Sequence, residues 1–142
     1  MDRNFFKYWF KGFEEYLDNT DKKHSMEVTE YCGRACSKSY TKEIYIREYS
    51  KANSIEEFLS GLKMAFPKSD FKLIEDDIIE VTYSDCGCDL VTNRFVKTPG
   101  LCNCSVQSLK YNFETILKKE VKVELIQSIL GGKKSCIFKI NV

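Results

Sequence analysis

In residues 81–105, VTYSDCGCDLVTNRFVKTPGLCNCS, a strand runs out, a loop intervenes and a helix begins. Cys86-Gly87-Cys88 is separated by thirteen residues from Cys102-Asn103-Cys104, so two Cys-x-Cys hooks face each other across a loop containing Pro99-Gly100. Four of the chain's seven cysteines lie here. Four thiolates are the ligand set of a closed tetrahedral zinc site, and a metal supplies order that a loop's own side chains cannot. Gly87 is expected to let the first hook turn tightly. Cys102 and Cys104 are expected at a helix N-terminus, where unpaired N–H groups favour thiolate over thiol. Three other readings share the spacing: reduced cysteines packed as small hydrophobes, a reactive thiol at the helix start, or an iron-sulfur cluster.

Downstream of the loop, residues 105–119 form a helix with Val106, Leu109, Phe113, Ile116 and Leu117 inward. A hairpin follows. Val121, Val123 and Leu125 alternate on one arm, Gly131-Gly132 makes the turn, and Cys136, Phe138, Ile140 and Val142 share a face on the other. Cys136 therefore reads as packing. Upstream, Phe71 and Leu73, then Ile79, Val81 and Tyr83, alternate with polar residues on either side of Asp76-Asp77, which predicts a first hairpin.

Before Pro67 the period is helical. Phe6, Trp9, Phe10, Phe13, Tyr16 and Leu17 recur at three- and four-residue steps over residues 2–17 and form an aromatic stripe, to be covered by the domain or by a twin subunit. Residues 25–40 predict a second helix with Val28, Cys32, Ala35 and Cys36 along one face; with His24 nearby, Cys32 and Cys36 are candidates for a second metal site or for pocket lining. Gly33 inside this helix costs about 1 kcal/mol relative to Ala and points to a close neighbour there. Residues 41–52 fit either a helix or an extended connection. Ser54-Ile55-Glu56-Glu57 is a capping box opening a helix to about residue 66. The fold class is α+β: N-terminal helices on a four-stranded antiparallel sheet of two hairpins with an intervening helix. It is read as one domain, helical over 1–66 and cysteine-bearing over 67–142.

Twenty-two basic against 21 acidic residues leave a net charge of +1, too little for a nucleic-acid or anionic-lipid footprint. No apolar run reaches the roughly 18 residues of a membrane helix, and the first residues lack the order of a secretory signal. With seven cysteines, an odd number, this indicates a reducing, cytoplasmic setting.

The stretches DCGCDLV at 85–91, LCNCS at 101–105 and VKVELIQSILGGKKSCIFKI at 121–140 resemble the 4-vinyl reductase domain family and its neighbours, the L-2-amino-thiazoline-4-carboxylic acid hydrolase-like proteins. The resemblance implies a fold related to haem-dependent nitric-oxide-binding domains and TRAPP transport subunits, with a pocket between helices and sheet. It also implies that Cys86, Cys88, Cys102 and Cys104 are zinc ligands. No haem role is carried over, since His24 has no matching motif. The expected function is a dimeric binding module for a small apolar or amphipathic molecule, with Cys32, Cys36, Tyr83, Tyr111 and Phe113 as candidate pocket residues. The competing class is a hydrolase of a small sulfur- or nitrogen-containing ring, using Cys102 or Cys104 as nucleophile or a metal-bound water, with Glu80 or Glu114 as base.

Overall fold

Alternation across the two hairpins builds a sheet with one apolar and one charged face. The computed structural model describes residues 2–142. Strands β1 (Ser69–Glu75), β2 (Ile78–Tyr83), β3 (Lys122–Gln127) and β4 (Cys136–Asn141) form one antiparallel sheet in the order β1-β2-β4-β3, so the two hairpins join through their second strands. Residues in register make rows across it. Phe71, Val81, Phe138 and Leu125 form one inner row, and Leu73, Ile79, Ile140 and Val123 the next. Between them on the opposite face runs Lys72, Glu80, Lys139 and Glu124, alternating in sign across all four strands. Opposite charges directly across a strand pair favour this register, and the row marks the solvated side. The Gly131-Gly132 turn is confirmed, with Gly132 at φ +94°, where a side chain is strained.

Helices pack against the inner face, against one another and against the chain between the hairpins. They are α1 (Arg3–Asn19), α2 (Lys22–Cys36), α3 (Lys42–Lys51), α4 (Ile55–Ala65), the one-turn α5 (Asp89–Thr92) and α6 (Cys102–Leu117). Side chains cap three of them: Asp2 accepts from the Asn4 N–H, Asp21 from the His24 N–H, and Ser54 from the Glu57 N–H. The Glu57 carboxylate reaches back to the Asn53 N–H at 2.8 Å, so the expected box closes one residue early. Phe58, Leu59 and Leu62 of α4 and Val106, Leu109, Phe113 and Ile116 of α6 meet the inner rows in one core. Tyr45 of α3 joins them, its ring 5.5 Å from that of Phe113 and 6.1 Å from that of Phe58.

One open expectation for the helices is decided and two are corrected. Of the two readings of 41–52, the helix holds over Lys42–Lys51, joined to α2 through a π-helical turn at Ser37–Thr41. The extra residue of that turn shifts the helix face, so that Tyr45 rather than Ile44 or Ile46 enters the core. Along α2 and into the π-helical turn the face toward the domain is Ser25, Thr29, Gly33 and Ser37, all buried, while Cys32, Ala35 and Cys36 are exposed. Small side chains let α2 approach α6 closely. A Cβ on Gly33 would stand 2.6 Å from the Cys104 carbonyl oxygen and 2.8 Å from the Gln107 Cβ, and the Ser37 and Ser108 hydroxyls meet at 2.6 Å. Finally, the residues of the α1 stripe divide: Phe6, Phe10 and Leu17 turn toward the domain, while Trp9 and Tyr16 turn outward.

Candidate functional site

Between the end of β2 and the start of α6, residues 84–101 cross from strand to helix and bury Val96 and Leu101 outside the main core cluster. Hydrogen bonds hold the crossing in shape. The Cys88 carbonyl accepts from the Val91 and Thr92 N–H groups at 2.9 Å, starting α5, and the Leu90 carbonyl accepts from Phe95 and Val96. Side chains of α1 fasten the rest. The Glu14 carboxylate accepts from the Lys97 and Thr98 N–H groups at 2.5 and 2.9 Å, and Asp18 accepts from the Thr98 hydroxyl. Phe95 stacks on Phe10 at 5.6 Å, and the Arg3 guanidinium sits 5.1 Å above its ring while donating to the Asn93 carbonyl. A 3-10 turn at Pro99–Leu101 then delivers Cys102 as the first residue of α6, three residues earlier than expected.

Folded this way, the chain brings its cysteines to one end of the domain. Cys102 and Cys136 are buried, Cys86, Cys88 and Cys104 half-buried, and Cys32 and Cys36 exposed on α2. Burial pushes the Cys104 thiol up to about 12, helped by the neighbouring Cys32, Cys88, Cys36 and Cys102. Burial likewise raises Cys88, with Cys86 and Asp89 adding to it against hydrogen bonds from the Leu90 and Val91 backbone. Cys102 is raised by burial despite a hydrogen bond with Ser128, and Cys36, although exposed as a residue, by partial desolvation of its sulfur, with Cys88 and Asp89 adding to it. Cys136 is raised by burial against the Ile129 N–H, which donates to its sulfur at 3.3 Å. This corrects the expectation that the start of α6 yields thiolates. Desolvation and mutual repulsion outweigh the helix terminus, so these thiols are neutral at pH 7 and poorly suited to nucleophilic attack.

Among the described residues, no three His, Cys, Asp or Glu side chains stand in a metal-holding arrangement. In donor chemistry the four hook cysteines still suit zinc: all are thiols, and a bound cation would offset the burial and repulsion that raise Cys88, Cys102 and Cys104. Gly87 does not adopt a positive φ, so its hook turns without the freedom only glycine has. His24 pairs with Asp21 at 2.7 Å, which raises its pKa.

The candidate pocket residues lie in different surroundings. Phe113 is fully buried in the core. Tyr111 lies on the other side of α6, with the Lys38 and Lys42 ammonium groups 5.8 and 5.9 Å from its ring. Tyr83 ends the inner face of β2, its ring 5.3 Å from that of Phe138, and its hydroxyl is held neutral by burial and by Cys136, Tyr40 and Cys36. Cys32 and Cys36 approach the same region from α2: both act on Cys104, and Cys36 also on Tyr83. Sequence reasoning passed over Tyr40, raised by burial, Cys36 and Asp89, although it falls four residues after Cys36. A separate open groove of about 570 Å3, lined by Met26, Val106, Lys110, Val121, Val123 and Val142 among others, contains none of the candidates. Glu114 caps the step into β3, accepting from the Val121 N–H at 3.0 Å and from Lys110, and Glu80 belongs to the charged outer row.

Over residues 2–142 the chain matches the family of unknown function DUF6144 and belongs to it. No curated protein matches the sequence. Among solved structures it is similar to the phenol-responsive sensory domain of the transcription activator PoxR, crystallised with phenol: TM-score 0.63, 10% identity, covering 96% of this chain and 73% of that one. It is also similar to trafficking protein particle complex subunit 3 from Naegleria fowleri, covalently bound to palmitic acid: TM-score 0.54, 10% identity, covering 99% and 96%. The likeness is one of fold, and it agrees with the expected relation to TRAPP subunits. Among the described residues no helix is long and apolar enough to cross a membrane.

Proposed function

We propose that this DUF6144 protein is a binding domain for a small apolar or amphipathic molecule, of the 4-vinyl reductase type, with its cysteine end closed by a structural zinc ion. The observation that carries this reading is the fold shared over 96% of the chain with a sensory domain crystallised with phenol. The second neighbour, bound to palmitic acid, points to the same class of apolar ligand. Cys86, Cys88, Cys102 and Cys104 would hold the zinc, whose chemistry here is to draw thiolates together and fix the crossing. Tyr83, at the apolar edge beside the cysteines, would donate its neutral hydroxyl to a ligand's polar atom, with Cys32 and Cys36 as the flanking positions to test. A thiol held near 12 speaks for this reading over a cysteine hydrolase.

Two measurements test it separately. Zinc analysis of protein purified without added metal should give about one ion per chain, lost in Cys86→Ser and kept in Cys32→Ser. Calorimetric titration with phenol and with palmitate as probes should show saturable binding of at least one. Tyr83→Ala should weaken it roughly tenfold, the worth of one good hydrogen bond or stack, without loss of zinc. Zinc without binding of either probe refutes the ligand reading; binding without zinc refutes the metal.

A further inference from the structure

Helix α1 uses only one of its two apolar sides on the domain. Phe6, Phe10 and Leu17 serve the crossing at residues 84–101, whereas Phe5, Tyr8, Trp9 and Tyr16 remain 60, 72, 58 and 45% exposed. Phe5, Tyr8, Trp9, Gly12 and Tyr16 follow at three- and four-residue steps, so they form one continuous stripe. At its middle lies Gly12, with no atom within 4 Å of where its Cβ would be. A second helix can come close there.

Charge along α1 identifies that helix. Every basic residue of α1 precedes Gly12 (Arg3, Lys7, Lys11) and every acidic one follows it (Glu14, Glu15, Asp18). Arg3, Glu14 and Asp18 are taken up by the crossing. Lys11 and Glu15, four residues apart and both exposed, flank the stripe and take part in none of the ion pairs among the described residues. A helix that is basic in its first half and acidic in its second complements its own reverse. We propose that the exposed face of α1 pairs antiparallel with α1 of a second copy of this chain, about a two-fold axis near Gly12, with Lys11 of each copy against Glu15 of the other.

The area is sufficient. An aromatic side chain buries roughly 150–250 Å2, so the exposed parts of these four give about 400–500 Å2 per copy before the stems of Lys11 and Glu15 are added. Doubled, this approaches the roughly 1,000 Å2 expected of a specific interface, with Trp and Tyr at its centre as the usual anchors. Two-fold symmetry requires a self-complementary patch, and the stripe is one.

Trp9 is the chain's only tryptophan and reports directly. Sedimentation equilibrium of the full chain should give twice 16.5 kDa at micromolar concentration, with tryptophan emission shifting to the blue as the dimer forms. Trp9→Glu, an exposed substitution that leaves the core intact, should weaken association about 100-fold, with unchanged far-UV circular dichroism. Lys11→Glu and Glu15→Lys should each weaken self-association by about tenfold, and an equimolar mixture of the two variants should recover near-native affinity as a heterodimer. A monomer at 100 micromolar, or a dimer indifferent to Trp9→Glu, overturns the proposal. So does a mixture that recovers nothing, because only the antiparallel arrangement sets residue 11 against residue 15 of the other copy. Recruitment of the monomer to phosphatidylcholine–phosphatidylserine vesicles in place of dimerisation would assign the stripe to a membrane and refute it equally.

Discussion

Along α6, Leu109, Phe113 and Ile116 pack into a core closed by two apolar rows of the sheet, while Cys102 and Cys104, at the other end of the same helix, stand among thiols and hydrogen-bonded loop. The first environment is filled by rings and branched chains in contact on every side. The second has a smaller apolar set, Phe95, Val96 and Leu101 with Phe6, Phe10 and Leu17 of α1, and depends besides on hydrogen bonds to Glu14 and Asp18 and on sulfurs that have lost water without gaining a counter-charge. The contrast assigns stability to one end of the molecule and adaptability to the other. Regions that respond to ligands are drawn from such weakly packed ends.

Truncating the packed end should have the largest effect. Phe113→Ala removes a fully buried ring touching Tyr45 and Phe58 and should cost about 3–5 kcal/mol in urea unfolding. The count of thiols reactive before unfolding should stay the same if the two ends are independent. A matching rise in thiol reactivity would show that the core props up the cysteine end and would dissolve the contrast.

Next comes Gly33→Ala, which links the two ends. Its Cβ would stand 2.6 Å from a backbone atom, the Cys104 carbonyl, so α2 and α6 must separate. A loss of about 1–3 kcal/mol is expected. In contrast to Phe113→Ala, it should also expose thiols, because Cys104 lies at the point of contact. Stability equal to that of the native chain would mean that the helices yield freely there.

How far the sequence reveals these regions follows from what holds each together. The core end is legible because apolar periodicity is the signal of apolar packing: the inward residues expected for α6 and both hairpins are those found buried or half-buried. The α2–α6 contact carries no such signal. It is made by Ser25, Thr29, Gly33 and Ser37, so a search for apolar residues selected Val28, Cys32 and Cys36 instead, and only the cost of Gly33 in a helix pointed to the true neighbour. The two sides of α1 merged into one stripe for the opposite reason, since aromatic residues occupy both. At the cysteine end, spacing singles out the four hook cysteines but not their charge state, because a thiol's pKa depends on burial that local sequence does not encode.

That charge state supplies the smallest effect and the sharpest test of the difference between the ends. A thiol whose pKa rises on folding from an ordinary 9.0 to about 12 favours the folded state fully while both states keep the proton. As pH climbs past 9 the unfolded chain loses that proton first, so the contribution declines from there toward pH 12. The metal-free native protein should therefore lose stability above pH 9 more steeply than Cys104→Ser, by at most about 1.4 kcal/mol per pH unit. Tyr45 and Tyr83, also raised by burial, are present in both proteins and cancel in the difference. Urea midpoints measured from pH 8 to pH 11 give the comparison directly. Parallel curves would mean that Cys104 is solvated and that the cysteine end is merely open; diverging curves that become parallel when zinc is added would mean that the metal takes the place of the protons, which is what a closing ion at this end requires.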